Sequence, residues 1–471
     1  MRRYDVIVIG GGTAGIPAAL GAAERGLSVA VVEAADEIGG TLHLSTASIS
    51  AAATSIQARN GIEDSVELHY TDYLKINHGT GRAPLVRRWI EEAAQTVEWL
   101  RSIGWSANPD TAVFAYEHDL YSVPRTYRSN DLGLGVAAAY RNEVARAQAA
   151  GAQLEIFTGT RFTGFLTQGD AVTGIEAVQN GKTIQLAADA VILTAGGFSN
   201  SEAKWQDFYG FSPLRYARPE SNGDGIDAVR AIGGTTWFDD YLLPNFGATR
   251  DIGGPPSAWI HSTMLVAIRP PWEIYVNLEG ERFMAEDEPH IFAREMAVKR
   301  QTQWGFWVVY DQGIVDASPP FLKFTPEKVE EKFSGPDADY VRADSVEALA
   351  EAMGVPAASL AQTIAYYNEG QAVGSDMLGR KHLPAAIGTG PFYAVRHYGY
   401  AISSYPGVRV NDDLQAVRCD GTPIGGLYAA GEAIGIGFLG LGFMSGSIVS
   451  SAVTFGRRLG REVLVNQSVP A

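Results

Sequence analysis

The first 33 residues leave little choice of fold. Tyr4 to Ile9 is an apolar, β-branched run that predicts a buried strand. Gly10-Gly11-Gly12-Thr13-Ala14-Gly15 follows at once, residues 14–25 are Ala-rich and helical with Gly26 at their end, and Leu27 to Val32 predicts a second strand closed by Glu33. This is a βαβ unit with Gly10, Gly12 and Gly15 in the G-x-G-x-x-G pattern. Gly10 permits a tight turn, Gly12 lets the backbone approach a pyrophosphate, and Gly15 lets helix and strand pack closely. The N–H groups and positive dipole end of the helix then face the phosphates. A carboxylate at Glu33 accepts hydrogen bonds from ribose hydroxyls and disfavours a 2′-phosphate. The unit is a dinucleotide site.

Composition removes other classes. The 471 residues carry 37 Lys and Arg against 53 Asp and Glu, a net charge of −16. An acidic chain without a basic run is a poor partner for nucleic acid. The single cysteine, Cys419, provides no internal disulfide, four-cysteine zinc site or iron–sulfur cluster, and no metal site is expected. No uncharged apolar stretch reaches the ~20 residues of a membrane helix. Asp5 and the glycines interrupt the apolar run after Met1-Arg2-Arg3, so no signal peptide is read and a cytoplasmic address is expected.

Further along, helical patterns cover 85–104 and 135–150, and short strands run between 153 and 187 with turns at Gln168-Gly169-Asp170 and Asn180-Gly181. Asp189 to Thr194 predicts another buried strand, closed by Ala195-Gly196-Gly197. Residues 241–390 are richer in Pro, Trp and charge and lack Gly-rich βα turns. Leu427-Tyr428-Ala429-Ala430-Gly431-Glu432 restores the earlier style and leads to a final helix over 447–460. The expectation is an α/β fold: a Rossmann-like dinucleotide-binding domain built from 1–240 and 391–471 and interrupted by an α+β capping domain over 241–390.

Several segments point to FAD. Gly39-Gly40-Thr41 follows Glu33 closely, and Asp189 to Gly197 and Gly426 to Glu432 are similar to the later strands and turns of flavoproteins. Asn222-Gly223-Asp224-Gly225 resembles a TGDG segment, and Asn277 to Glu286 resembles NxxGxRFxNE with Ala285 for the second Asn. The chain thus resembles the fumarate reductase/succinate dehydrogenase flavoprotein superfamily over nearly its whole length. The resemblance implies FAD held by Gly10, Gly12, Thr13, Ala14, Gly15, Glu33, Gly40, Thr41, Ser48, Ala195, Gly196, Asp224, Glu432, Ser447 and Ile448. The histidine that carries covalent FAD in some relatives registers nearer Thr41 than His43, so non-covalent FAD is expected.

Within the superfamily, the substrate Arg of fumarate reductases falls at Phe443, and their His finds only Ser403, Ser404 and Tyr405. These losses remove the charge-assisted bonds of a dicarboxylate. The ketosteroid dehydrogenase branch, with its RFxNExxPY motif, fits better: Arg282 to His290 registers with it and puts His290 at its proton-abstracting Tyr. Gly446 matches its ketone-binding Gly. Loss of the branch's C-terminal Tyr points to smaller cyclic-ketone desaturases, such as those acting on 4-oxocyclohexanecarboxylate. That reading makes His290 the base, Gly446 an oxyanion donor and flavin N5 the hydride acceptor, with Tyr121, Arg125, Phe443 and Gly446 near the substrate. Tyr121 belongs to an aromatic cluster with Tyr116, His118 and Tyr127; packing under a loop is its other reading. Arg125 and Arg269 are candidates for a ring carboxylate. The alternatives are a reductase of an enone or acrylate and a FAD-binding protein without chemistry. No third Gly-rich βαβ unit is present for NAD(P)H, so the partner expected is oxygen, a quinone or another flavoprotein.

Overall fold

A computed structural model of the protein describes residues 1–250 and 258–463. Its first layer is an eight-stranded sheet. Five parallel strands run side by side in the order Pro423–Ala429, Lys182–Leu193, Arg2–Ile9, Val29–Val32, Leu154–Phe157. The strand Arg2–Ile9 is central, and Val6 to Ile9 are buried on both faces, as strands covered on both sides require. Thr160–Gln168, Ala171–Gln179 and the start of Lys182–Leu193 form an antiparallel meander on the same sheet. The predicted helices appear as Ala83–Ser102, Leu132–Ala149 and Ser447–Glu462. The last packs against the first helix, Gly15–Ala23, and three close approaches explain its glycines: a Cβ on Gly456 meets the Ala14 carbonyl oxygen at 2.0 Å, one on Gly460 meets that of Ala18 at 2.1 Å, and one on Gly21 meets that of Arg457 at 3.1 Å.

The second layer is a seven-stranded sheet organised on one long strand, Phe392–Ala401. Antiparallel partners are Asn245–Arg250, Gly305–Asp311 and Tyr340–Ala343, and Leu214–Arg215 joins in parallel. The sheet therefore draws in strands on both sides of the interval 241–390. The composition change marked where the Pro- and Trp-rich loops lie; the strands at either end are apolar and read like those of the first layer. A buried charge network braces this cap. Arg282 meets Glu286 at 2.6 Å and also contacts Asp376 at 2.5 Å, and Arg380 reaches Glu286 at 3.2 Å. The NxxGxRFxxE segment is thus tied to the loop before Phe392–Ala401. Among the described residues, no helix is long and apolar enough to cross a membrane.

Candidate active site

One cavity of about 550 Å³ runs from the first glycine turn to the cap. At the nucleotide end, backbone crowding explains the sequence. A Cβ on Gly15 would sit 1.8 Å from the Gly10 carbonyl oxygen, and Gly10 itself has a φ of +96° with its missing Cβ 2.5 Å from the Thr194 carbonyl oxygen. The helix Gly15–Ala23 has no side-chain cap at Ala14; its first N–H groups face the cavity wall formed by Gly12, Thr13 and Ala14, an arrangement suited to phosphates. Glu33 accepts the amides of Gly11 at 2.7 Å and Ala35 at 2.8 Å, leaving each oxygen a further lone pair for a hydroxyl. Burial pushes its carboxyl up while those amides pull it down.

Gly40, Thr41, Ala195, Gly196, Asp224, Glu432 and Ile448 line the same cavity. Asp224 starts the helix Asp224–Ala231 and pairs with Arg161. Glu432 accepts the Ser404 amide at 2.8 Å and its hydroxyl at 3.2 Å; burial raises its carboxyl to about 7. The uncapped helix start, the two acids with spare acceptor capacity and the open turns fit FAD. Two expected contacts sit one layer back from the cavity. Ser48 is buried and accepts Arg128 Nε at 2.7 Å. Ser447 is fully buried, and its hydroxyl donates to the Met444 carbonyl at 2.8 Å. His43 turns its ring back to the Ile38 carbonyl at 3.1 Å.

The family profile described as FAD binding domain matches residues 5–449. The chain belongs to this family. It is 29% identical over 475 residues to the NADH:fumarate oxidoreductase of Klebsiella pneumoniae (strain 342), covering 98% of this chain and 48% of that protein. The chain therefore spans about half the length of that relative. It is 28% identical over 490 residues to the vinyl phenol reductase of Lactiplantibacillus plantarum, covering 97% and 96%. Among solved structures, the 3-ketosteroid Δ1-dehydrogenase of Sterolibacterium denitrificans superposes with a TM-score of 0.80 at 21% identity, covering 98% and 99%. The open conformation of a flavocytochrome c3 fumarate reductase gives 0.75 at 24%, covering 98% and 78%. The fold is that of the fumarate reductase and ketosteroid dehydrogenase flavoproteins.

At the far end of the cavity the expected substrate residues rearrange. Arg125 does not line it. The side chain is fully buried and clamped, with Nη2 to Asp64 at 2.9 Å and Nη1 to Asp72 at 2.8 Å. Arg269 is likewise paired with Glu273 at 2.6 Å. A guanidinium holding a buried carboxylate has no charge to spare for a ligand. Tyr121 is also corrected: its buried hydroxyl accepts the Ala115 amide and donates to Val113 O or shares a proton with Thr126, away from the cavity. Phe443 packs on His118 with ring centroids 4.2 Å apart, and His118 is the one that lines the cavity. Gly446 caps the helix Ser447–Glu462 at φ +93°, where a Cβ would meet the Ser50 amide at 2.7 Å; it lies behind Ile448, outside the lining.

His290 is the largest correction. Its side chain is 76% exposed and does not line the cavity, and it lies 3.9 Å from Asp119. Asp119 takes the Ile291 and Phe292 amides at 2.7 and 3.2 Å, so it caps the helix Ile291–Lys299 that His290 precedes. Helical spacing then puts Ile291, Arg294 and Glu295 on one face, and these three line the cavity. Glu295 is 6% exposed. Burial and the nearby Asp119 raise its carboxyl well above the usual range, against the pull of Arg294. His118 is held neutral, its pKa lowered to about 4 by burial. Reading the motif register forward to His290 missed Arg294 and Glu295. The available signal was an adjacent Arg-Glu pair inside an apolar helical stripe of Ile291, Ala297 and Val298, where buried charges are rare without a purpose.

Proposed function

We propose that this flavoprotein reduces a carbon–carbon double bond conjugated to a carbonyl group in a small, largely apolar molecule. The carrying observation is the helix face of Ile291, Arg294 and Glu295. It brings a buried carboxyl, raised well above the usual range by burial, to the cavity that adjoins the FAD cradle, while the imidazole expected to act as base is mostly exposed and outside the lining. Bound FAD, non-covalently held, supplies the hydride when reduced by an external donor. Reduction also needs a proton at the neighbouring carbon, and a carboxyl that burial raises well above the usual range is suited to deliver it. Phe246, Met264, Leu265 and Tyr400 line this part of the cavity and exclude water around the reacting bond. The reductases among the relatives support the same direction.

A second reading, desaturation of a small cyclic ketone, is favoured by Phe443 standing where fumarate reductases keep an Arg. His118, neutral and at the wall, would then be the base in place of His290. The two readings separate in one set of assays on the yellow, FAD-loaded protein. Under the proposal, a reduced dye plus an enone or enoate is turned over, and no cyclic ketone bleaches the flavin anaerobically. Anaerobic bleaching by a ketone, with no enone or enoate reduced, selects the desaturase instead.

A further inference from the structure

A serine–histidine pair at the cap wall has no part in the reduction chemistry. Ser262 lines the cavity, and His397, on the central strand of the cap sheet, is outside the lining. Ser262 Oγ and His397 Nε2 meet at 2.5 Å, and both residues are buried. The backbone on each side of Ser262 is held. The Thr263 amide donates to the Phe321 carbonyl at 2.9 Å, and the His261 carbonyl accepts the Lys323 amide at 2.6 Å. His397 Nδ1 lies 3.1 Å from the Val395 carbonyl. The rings of Phe306 and Phe321 flank the imidazole, with centroids 5.8 and 5.5 Å away.

These partners fix the protons of the pair. A carbonyl oxygen only accepts, so Nδ1 carries the ring proton. The ring has no solvent exposure, no carboxylate pairs with it among the described residues, and burial lowers its pKa to about 4, so it is neutral near pH 7. Nε2 of that tautomer is an acceptor, and the contact with Ser262 is a hydrogen bond donated by the serine hydroxyl. The serine oxygen is left with two lone pairs and no proton to offer. Among the described residues, no donor of the chain reaches it. The same two side chains could begin a nucleophilic dyad, but a base there must become an imidazolium, and the apolar burial that keeps this ring neutral opposes that.

We infer that Ser262, pinned by His397, is an acceptor-only point on the substrate wall, and that the substrate carries a hydroxyl group that donates to it. The inference rests on the cavity being the substrate site of the reduction proposed above. A buried acceptor left unpaired costs more than the bond it would make is worth, so this point rejects a ligand that brings a methyl or carbonyl group to it. A neutral hydroxyl fits better than an ammonium group, because Arg294 stands in the same lining and its charge repels a cation. The preferred class is therefore a hydroxylated unsaturated carbonyl compound. Phe246 and Tyr400 in that lining suit a hydroxyl carried on a flat ring.

Isothermal titration of the FAD-loaded protein with 4-ethylphenol, 4-ethyltoluene and 4-ethylbenzaldehyde tests this without turnover. The three bring a donor, a methyl group and an acceptor to one position of the same frame. The wild type is expected to bind the phenol about tenfold more tightly than either of the others. Ser262→Ala should cut that preference to less than about twofold. His397→Asn keeps a donor for the Val395 carbonyl but removes Nε2. The freed serine hydroxyl can then turn and donate, so the aldehyde should bind about fivefold more tightly than it does to wild type. Equal binding of the three by the wild type overturns the inference, as does an undiminished preference in folded, yellow Ser262→Ala. Unchanged aldehyde binding in folded, yellow His397→Asn overturns the part given to the histidine. If the preference depends on Ser262 but no unsaturated carbonyl compound is reduced, the hydroxyl site stands and the proposed reaction falls.

Discussion

The Arg125 guanidinium grips Asp64 along one edge, with Nε at 3.0 Å from Oδ2 and Nη2 at 2.9 Å from Oδ1, both side chains sealed from solvent. Its remaining nitrogen holds Asp72, and Asp72 in turn accepts the Ser122 amide and hydroxyl. This pins the 120–128 segment to the helix Val66–Ile76. Removing one member leaves a buried charge unpaired, which costs about 3–5 kcal/mol. Arg125→Ala should therefore lower the unfolding free energy by that amount while leaving ligand affinity of the surviving folded protein near wild type. A denaturant titration beside a ligand titration checks both. A stable variant with weakened carboxylate binding would restore Arg125 to the substrate site.

Gly15→Ala is expected to give colourless protein. The added methyl carbon has no room beside the Gly10 carbonyl oxygen at 1.8 Å, so the glycine turn and the helix start must move apart. The flavin absorbance ratio of purified protein is the readout. Retention of stoichiometric FAD would show that the cradle tolerates the shift.

The geometry ranks two acid–base candidates. Glu295→Gln removes the buried proton donor and should lower turnover about 10²–10⁴-fold, the usual contribution of a positioned acid. His290→Ala, altering an exposed side chain outside the lining, should cost less than about tenfold. Steady-state rates of the two variants on one substrate decide the order, and the reverse order would return the proton transfer to His290.

Two buried groups pull the pH dependence of stability in opposite directions. His397 has no solvent exposure and contacts Ser262 Oγ at 2.5 Å and the Val395 carbonyl at 3.1 Å; burial lowers its pKa to about 4. Between an unfolded value of about 6.5 and the folded value, the unfolded chain binds more protons, so its contribution is lost as pH falls through that window. Glu432 is the converse. Its folded value is about 7, above the unfolded carboxylate value, so the folded state gains stability as pH falls from about 7 toward 4.5. In FAD-free protein, His397→Asn should therefore lose less Tm than wild type between pH 7 and 5, and Glu432→Gln should lose more. Parallel Tm profiles for the three proteins would contradict both assignments.

Much of the cofactor end was legible from sequence because backbone crowding dictates residue identity there. Gly15 is crowded by the Gly10 carbonyl and Glu33 holds the Gly11 amide, both within the first βαβ unit, which is a local structure; Gly10 adds a longer-range contact with Thr194. The far end of the cavity is assembled from distant pieces: His118 before the cap, Arg294 and Glu295 within it, and Tyr400 where the chain returns. No local pattern announces such a meeting. Arg125 reads in the sequence as a free arginine in apolar surroundings, and only the positions of Asp64 and Asp72 in space show that it is already satisfied. His290 shows a further limit. Motif register gives a position on the chain, but the side chain leaving a helix cap is directed by Asp119, over 170 residues upstream.

The strand Phe392–Ala401 has a consequence for how such enzymes can be diversified. It supplies the central rung of the cap sheet although it is read after the cap's other strands, and it continues directly into Ser403 and Ser404 beside Glu432. The interval between residues 241 and 390 is thus no self-sufficient cassette: transplanted alone, it would arrive with the edges of Asn245–Arg250, Gly305–Asp311 and Tyr340–Ala343 unpaired. Recombination that exchanges specificity between relatives has to carry the segment from Leu214 to Ala401 as one piece, and each such exchange brings with it the residues that lead into the flavin cradle.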